Sequence, residues 1–172
     1  MRFFEDLAVG EKFSFGALIV DPQEAEDFAL RYDPASMPEM GGYARGIHRG
    51  ARISLWMAVA LSWKLLADFA ATSPVEETSF SSPRDLTFGG WAVSAEDRLR
   101  IEVEVTELLA PSAAMPEHGL ARARVSLITS GPAGFGNWGD DDQEIVDDIA
   151  LAYTATLKAR RRERVPIYHG IA

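Results

Sequence analysis

GGYARGIHRGARISLWMAVALSWKLLADFAA, residues 41–71, is the stretch that decides the fold of this chain. A glycine-punctuated loop over residues 41–50 leads into a helical segment over residues 53–69 that is apolar on nearly all sides. A helix without a wide polar face has to be covered on most sides by the rest of its domain. Its uncharged run, residues 53–63, is shorter than the roughly 20 apolar residues that span a bilayer. The stretch therefore predicts one buried central helix in a soluble protein.

Length and composition favour a single globular domain over residues 1–172, with a C-terminal tail over residues 161–172. The chain is 47% hydrophobic and 25% charged, which is ordinary for a domain of this size. It contains no cysteine, so disulfides and cysteine-ligated zinc are excluded. Acid appears at Glu5 before any long apolar run, so we expect no signal peptide and a cytoplasmic location.

A helix is predicted to begin at Asp21. Asp21, Pro22 and Glu24 are an N-cap, a first-turn proline and a third-position acid, which together are typical of a helix start. Pro34 disfavours the helical conformation for the residue before it. The helix should therefore end by delivering Asp33 to a loop.

Alternation of period two predicts the strands of an antiparallel sheet with one wet face. A short half-buried strand is expected over residues 12–17, and a hairpin loop over 111–119 separates two long strands. A last strand is expected at about residues 149–160. The apolar positions that define the two long strands are Leu99, Ile101, Val103, Val105, Ala121, Ala123, Val125 and Leu127.

Charge excludes some functions and leaves others open. A net charge of −9 argues against a nucleic-acid partner, which needs a basic surface. Arg45, Arg49 and Arg52 flank the start of the central helix, either as solvated side chains or as a local anion site. The acidic run within residues 131–148 does not form an EF-hand, because Ile145 stands where that loop needs glycine. We expect a soluble sheet edge there and no metal.

His48 is the histidine whose position suggests chemistry. It lies in the glycine-rich loop before the central helix, and a helix N-terminus offers free N–H groups and a positive dipole end. Such a position can polarise a carbonyl oxygen, although a purely structural histidine is equally compatible with it. His118 and His169 are expected in a hairpin loop and in the tail, without a role.

Three segments in this order resemble the MaoC-like dehydratases, single-hotdog relatives of the (R)-specific enoyl-CoA hydratases. They are FFEDLAVGEKF at 3–13, FALRYDP at 28–34, and the glycine-rich GGYARGIH at 41–48; VSAEDRL at 93–99 is similar to a further turn of the family. The resemblance covers about residues 3–162.

The resemblance implies an α+β hotdog fold, in which a curved antiparallel sheet wraps a long central helix. It also implies a homodimer, or a hetero-oligomer with a second hotdog subunit, that binds an acyl-CoA or acyl-carrier thioester without a cofactor and without a membrane. Asp33 matches the family's catalytic aspartate. Gly46 and Ile47 fall where backbone N–H groups hold the thioester oxygen, and Arg45 and Arg49 lie beside them as further substrate-binding candidates.

The sequence departs from the family at Pro38, which occupies the position of the catalytic histidine. Proline can neither give nor accept a proton, so the usual two-residue mechanism does not apply. Either Glu39 or His48 replaces the base, or Asp33 acts alone, or the protein binds acyl thioesters without hydrating them. An acyl-thioester-binding hotdog with degenerate or altered hydratase activity is therefore the favoured function. A non-catalytic hydratase partner and a thioesterase are the alternatives.

Overall fold

The computed structural model describes residues 2–36, 53–81, 83–89, 93–95, 97–109, 114–132 and 145–162. These residues form helices α1 and α2, six strands β1–β6, and short 3-10 turns at Phe4–Asp6 and Pro34–Ser36. In chain order the bounds are β1 Lys12–Ile19, α1 Pro22–Tyr32, α2 Leu55–Thr72, β2 Ser79–Phe80, β3 Arg84–Phe88, β4 Arg98–Leu108, β5 His118–Pro132 and β6 Ile145–Arg160.

The six strands form one antiparallel sheet. Its order is β1-β4-β5-β6-β2, and β3 also pairs with β6. The pairing register shifts within β1 between Phe15 and Leu18, and Gly16 adopts a positive φ of 99° there. A Cβ on Gly16 would stand 2.8 Å from a methyl carbon of Leu65 in α2. This irregularity lets the edge strand follow the helix, since bulges bend a strand.

The concave face of the sheet packs on α2 and forms the core. Every second residue of the central strands is buried there, as a two-residue period requires. Met57, Ala58, Leu65, Leu66 and Phe69 of α2 are buried in the same cluster. The predicted α+β architecture, a long helix wrapped by a curved antiparallel sheet, is confirmed.

The expectation that α2 is covered on most sides is wrong for the described residues. Trp56 is 61% exposed and Trp63 38% exposed, and Ala60 and Ala67 are exposed as well. The sheet packs against one side of α2, and the side with Trp56 and Trp63 faces away from it. By length and composition the whole helix could cross a membrane, a property that the core helices of soluble proteins share.

Two local predictions also need correction. His118 begins β5 instead of lying in the hairpin loop, and the last strand starts at Ile145, four residues early. Asp147 is therefore a strand residue of β6, where it pairs with Ser130 of β5. Arg161 and Arg162, the first two residues of the predicted tail, form ion pairs with Glu5 and Asp6 respectively.

Candidate functional site

Of the predicted site residues, only Asp33 lies within the described part of the chain. The second catalytic candidate, His48, and the substrate-binding candidates Arg45, Gly46, Ile47 and Arg49 fall in residues 37–52, outside the described residues. The same holds for Pro38 and Glu39. Their roles stay predictions.

Helix α1 places Asp33 as the sequence predicts. The Asp21 carboxylate accepts a hydrogen bond from the Gln23 N–H at 2.7 Å and caps the start of the helix. At the other end the Asp33 N–H donates to the Ala29 carbonyl oxygen at 2.9 Å. Asp33 itself leaves the helical conformation, with φ −146° and ψ 56°, and is half-buried. The backbone of Asp33 is thus held at the end of α1.

The last turn of α1 presents an aromatic surface next to Asp33. The rings of Phe28 and Tyr32 are 5.0 Å apart between centroids, and the Arg31 guanidinium lies 6.0 Å from the centre of the Tyr32 ring. Phe28 packs against the core, whereas Tyr32 is exposed. Asp33 therefore lies where an apolar layer meets solvent.

Ser54 caps the start of α2, a role that was not assigned from the sequence. Its buried hydroxyl accepts a hydrogen bond from the Met57 N–H at 3.1 Å, and the Ile53 N–H donates to the Val93 carbonyl oxygen at 3.0 Å. The N–H groups of the first helical turn have no acceptor within a helix. A serine directly before an apolar helical run is a recognisable N-cap signal, so the sequence contained this information.

A buried pair of hydroxyls lies between α2 and the sheet. Ser62 of α2 donates to the phenolic oxygen of Tyr153 in β6 at 3.1 Å, and both residues are almost fully buried. Burial raises the pKa of Tyr153, and the bond from Ser62 offsets only part of that effect. Tyr153 is therefore a neutral phenol at physiological pH. Ser62 could have been noticed as a polar residue within an otherwise apolar run.

His118 belongs to a different place in the fold. Its Nε2 lies 3.1 Å from the Glu77 carboxylate, which also pairs with Arg160 at 3.0 Å. Glu77 follows the C-terminus of α2 by five residues, and an 18-residue helix is about 27 Å long. The His118 cluster is therefore remote from the Ser54 end of α2 and does not supply a base there.

A charged cluster joins three strands on the wet face of the sheet. Arg100 of β4 donates to both carboxylate oxygens of Asp147 at 3.1 and 2.7 Å, and Ser130 of β5 donates to the same carboxylate. These bonds lower the pKa of Asp147 to about 2. The cluster faces away from α2 and stabilises the register of the sheet.

Metal binding finds no support in the described ranges. No group of three histidine, aspartate or glutamate side chains there is arranged to hold an ion. The described chemistry near the core consists of one carboxylate at the end of α1, a capped helix start and a buried hydroxyl pair.

Comparison with solved structures identifies the fold. A MaoC-like dehydratase from Rhodospirillum rubrum is 20% identical, with a TM-score of 0.63 over 94% of this chain and 99% of that one. A monoamine oxidase regulatory protein from Archaeoglobus is 15% identical, with a TM-score of 0.57 over 94% and 95%. A Mycobacterium tuberculosis protein with a double hotdog fold is 15% identical, with a TM-score of 0.53 over 93% of this chain and 44% of that one.

The hotdog fold is therefore confirmed, and the resemblance to MaoC-like dehydratases holds at the level of the fold. No protein-family model and no curated protein sequence matches the chain.

Proposed function

We propose that this protein binds acyl thioesters in a site at the end of α1, with Asp33 in its wall. The observation that supports this most directly is the position of Asp33. It is half-buried, held by the Ala29 carbonyl at the helix end, and displayed on a hotdog scaffold. The matching aspartate of the resembling family is catalytic, and the Rhodospirillum structure of the same fold is a dehydratase.

The reactions that this site can catalyse depend on which of its residues can transfer protons. A carboxylate alone would have to take a proton from water and also return a proton to carbon during hydration of an enoyl thioester. In the resembling family a histidine shares this work, and here proline replaces it. Binding with weak or altered hydration is therefore the proposed function.

Binding is tested by titrating the protein with butyryl-CoA and with free CoA in a calorimeter. We expect saturable binding of butyryl-CoA that is weakened at least tenfold by Asp33→Leu. The matched control is Asp27→Leu, because Asp27 is an exposed carboxylate on the same helix. Equal binding by both variants and the wild type would show that Asp33 does not line the site.

Catalysis is tested separately with crotonyl-CoA, by following the loss of the enoyl-thioester absorbance and, in parallel, the release of free thiol. Slow absorbance loss that Asp33→Asn abolishes supports residual hydratase activity. Thiol release supports the thioesterase alternative. Binding without either reaction supports a non-catalytic subunit.

Restoring the family's histidine by Pro38→His tests how much of the site survives. A positioned general base contributes about 10²–10⁴-fold, so a gain under about 10² would show that the missing histidine is not the whole difference. A gain of several orders of magnitude that disappears with Asp33→Asn would show an intact site lacking one base.

The proposed assembly is a homodimer of a single-domain, cytoplasmic protein. Support comes from the double hotdog of the Mycobacterium protein, of which this chain spans less than half. Light scattering at micromolar concentration tests it, and a subunit mass of 18.8 kDa would contradict it.

A further inference from the structure

Asp97 closes a turn with Ser94 directly before strand β4. The Asp97 N–H donates to the Ser94 carbonyl oxygen at 3.1 Å, and the Ser94 N–H donates to the Asp97 carboxylate at 2.9 Å. Both residues are half-buried, and backbone groups removed from water need partners of this kind. The two reciprocal bonds therefore define the shape of the turn.

The same carboxylate ties the turn to the sheet. The Thr129 hydroxyl of β5 donates to the Asp97 carboxylate at 2.9 Å, and Thr129 is buried. Gly131, two residues further along β5, lies against this carboxylate, because a Cβ on Gly131 would collide with the Asp97 Oδ1. One side chain thus joins the turn to two residues of a strand that is distant in sequence.

The turn also holds the chain that enters α2. The carbonyl oxygen of Val93, the residue before Ser94, accepts a hydrogen bond from the Ile53 N–H at 3.0 Å. Val93 and Ile53 are both buried in the core cluster. Ile53 directly precedes Ser54, the N-cap of α2. A continuous series of contacts therefore runs from β5 through Asp97 and the turn to the start of α2.

We propose that Asp97 is a positioning residue for recognition of the thioester carbonyl. It sets the chain that enters α2 against the sheet, and Gly46 and Ile47, which the family resemblance assigns to the thioester oxygen, precede Ile53 by seven and six residues. Asp97 acts through the turn and Ile53, not by contact with the ligand. The inference rests on the proposed function, because it concerns the same acyl-thioester site.

Hydrogen bonds and apolar packing hold the turn in different ways. Val93 and Ala95 are buried in the core, and the hydrophobic effect that buries them has no preferred direction. Hydrogen bonds do depend on direction, so the carboxylate fixes where the Val93 carbonyl points. Without it the turn should stay buried but shift. Donors that hold a carbonyl oxygen work only within about 2.7–3.1 Å of it, so a small shift matters for recognition.

A purely structural aspartate is the competing explanation, and Asp147 provides the comparison. Asp147 accepts from Arg100 and from Ser130, the neighbour of Thr129 on β5. Successive residues of a strand point to opposite faces, so Asp147 lies on the wet face and Asp97 on the core face. Within the described part of the chain, the bonds of Asp147 stay in the sheet. Asp147 therefore stabilises the sheet without a connection to the start of α2.

The test uses two probes that differ at one group. Butyryl-CoA carries the thioester carbonyl, and S-butyl-CoA is the thioether in which a methylene replaces that carbonyl. Calorimetric titration gives the ratio of their dissociation constants for each variant. If backbone N–H groups hold the carbonyl oxygen, the wild type should prefer butyryl-CoA by about tenfold. Asp97→Ala should lower this preference to less than about threefold and leave the affinity for S-butyl-CoA within about twofold of the wild type.

Three further variants separate positioning from stability. Asp97→Asn is the conservative rescue, because its amide oxygen accepts from the Ser94 N–H and its amide N–H donates to the Thr129 hydroxyl. This variant should keep the wild-type preference. Thr129→Val removes only the bond to β5 and should lower the preference part of the way. Asp147→Ala is the matched control, which should lower the melting temperature and keep the preference.

Circular dichroism checks that each variant is folded, and Thr129→Val decides the question if Asp97→Ala is not. A wild type that does not bind butyryl-CoA overturns the proposed function and this inference together. A wild type that binds both probes equally keeps acyl-CoA binding and overturns the inference alone. The inference also fails if the preference survives in Asp97→Ala and Thr129→Val, or if Asp97→Ala weakens both probes equally. A preference lost in Asp97→Asn as fully as in Asp97→Ala would show that charge acts there, and not the hydrogen-bonded turn.

Discussion

The two faces of α2 have similar composition and different surroundings. The inner face contains Ala58, Leu65 and Leu66, each at most 4% exposed and packed against the sheet. The outer face contains Trp56 and Trp63, which are at least as apolar, yet no described residue of the same chain buries them. Hydrophobic pattern therefore shows that a helix face will be covered, but not whether the cover comes from the same chain or from another molecule.

The largest expected loss of stability comes from a substitution on the inner face of α2. Leu66→Ala removes a side chain that is 1% exposed and should lower the free energy of unfolding by about 2–5 kcal/mol, because a buried cavity remains. Leu55→Ala makes the same chemical change on α2 at a residue that is 47% exposed, and should cost less than half as much.

Urea denaturation of both leucine variants at one protein concentration makes the comparison, since dimerisation links stability to concentration. Equal losses would mean that the two positions are equally covered in solution. That result would remove the contrast between the faces.

A second large effect is expected where β3 approaches β6. A Cβ on Gly89 would lie 1.9 Å from the Ile149 carbonyl oxygen, so Gly89→Ala forces the backbone of one strand to move. Overpacking typically costs about 1–3 kcal/mol. Gly10→Ala is the control, because an added Cβ there meets nothing within 4 Å, although its positive φ of 86° adds a smaller backbone strain. A melting temperature lowered equally in both variants would argue against the close approach.

The sequence predicted the parts of this fold that follow from short-range pattern. The strand alternation, the α1 cap and the exit of Asp33 before Pro34 depend on neighbouring residues, and the structure confirms them. The exposed outer face of α2 could not be predicted, because exposure depends on how far the sheet reaches around the helix. The pairing of Ser62 with Tyr153 joins residues 91 apart and left no local signal at Tyr153.

The candidate site also contains residues that a local sequence pattern locates and residues that it does not. Asp33 was identified by a capped helix, a following proline and a family resemblance; its place at the end of α1 is confirmed, and its role in a site stays a prediction. His48 and its neighbours are located only by resemblance, because a glycine-rich loop has no periodicity from which a side-chain direction follows.

A moderate effect is expected from the hydroxyl pair beneath α2. Tyr153→Phe removes one partner and leaves the buried Ser62 hydroxyl without its bond, which should cost about 1–2 kcal/mol. Ser62→Ala together with Tyr153→Phe removes both polar groups and should cost less than the sum of the single changes. A double-mutant cycle in urea measures the coupling, and strict additivity would contradict a direct bond between the two groups.

The smallest expected effect is on the wet face of the sheet, where Asp147 meets Arg100. Because the pKa of Asp147 is lowered to about 2, from about 3.9 when unfolded, the folded protein keeps this carboxylate charged where the unfolded chain binds a proton. The contribution to stability is therefore full above about pH 4 and is lost as the pH falls toward 2. Asp147 is largely exposed, so screening limits the contribution to about 1 kcal/mol or less.

Asp147→Asn should destabilise the protein by that amount at pH 7, and the difference in unfolding free energy between variant and wild type should narrow between pH 4 and the lowest pH at which both stay folded. In an Arg100→Met background the same substitution should have a smaller effect at pH 7, because the guanidinium is the first cause of the shift. A gap that stays constant with pH in both backgrounds would show that Asp147 acts through packing and not through its charge.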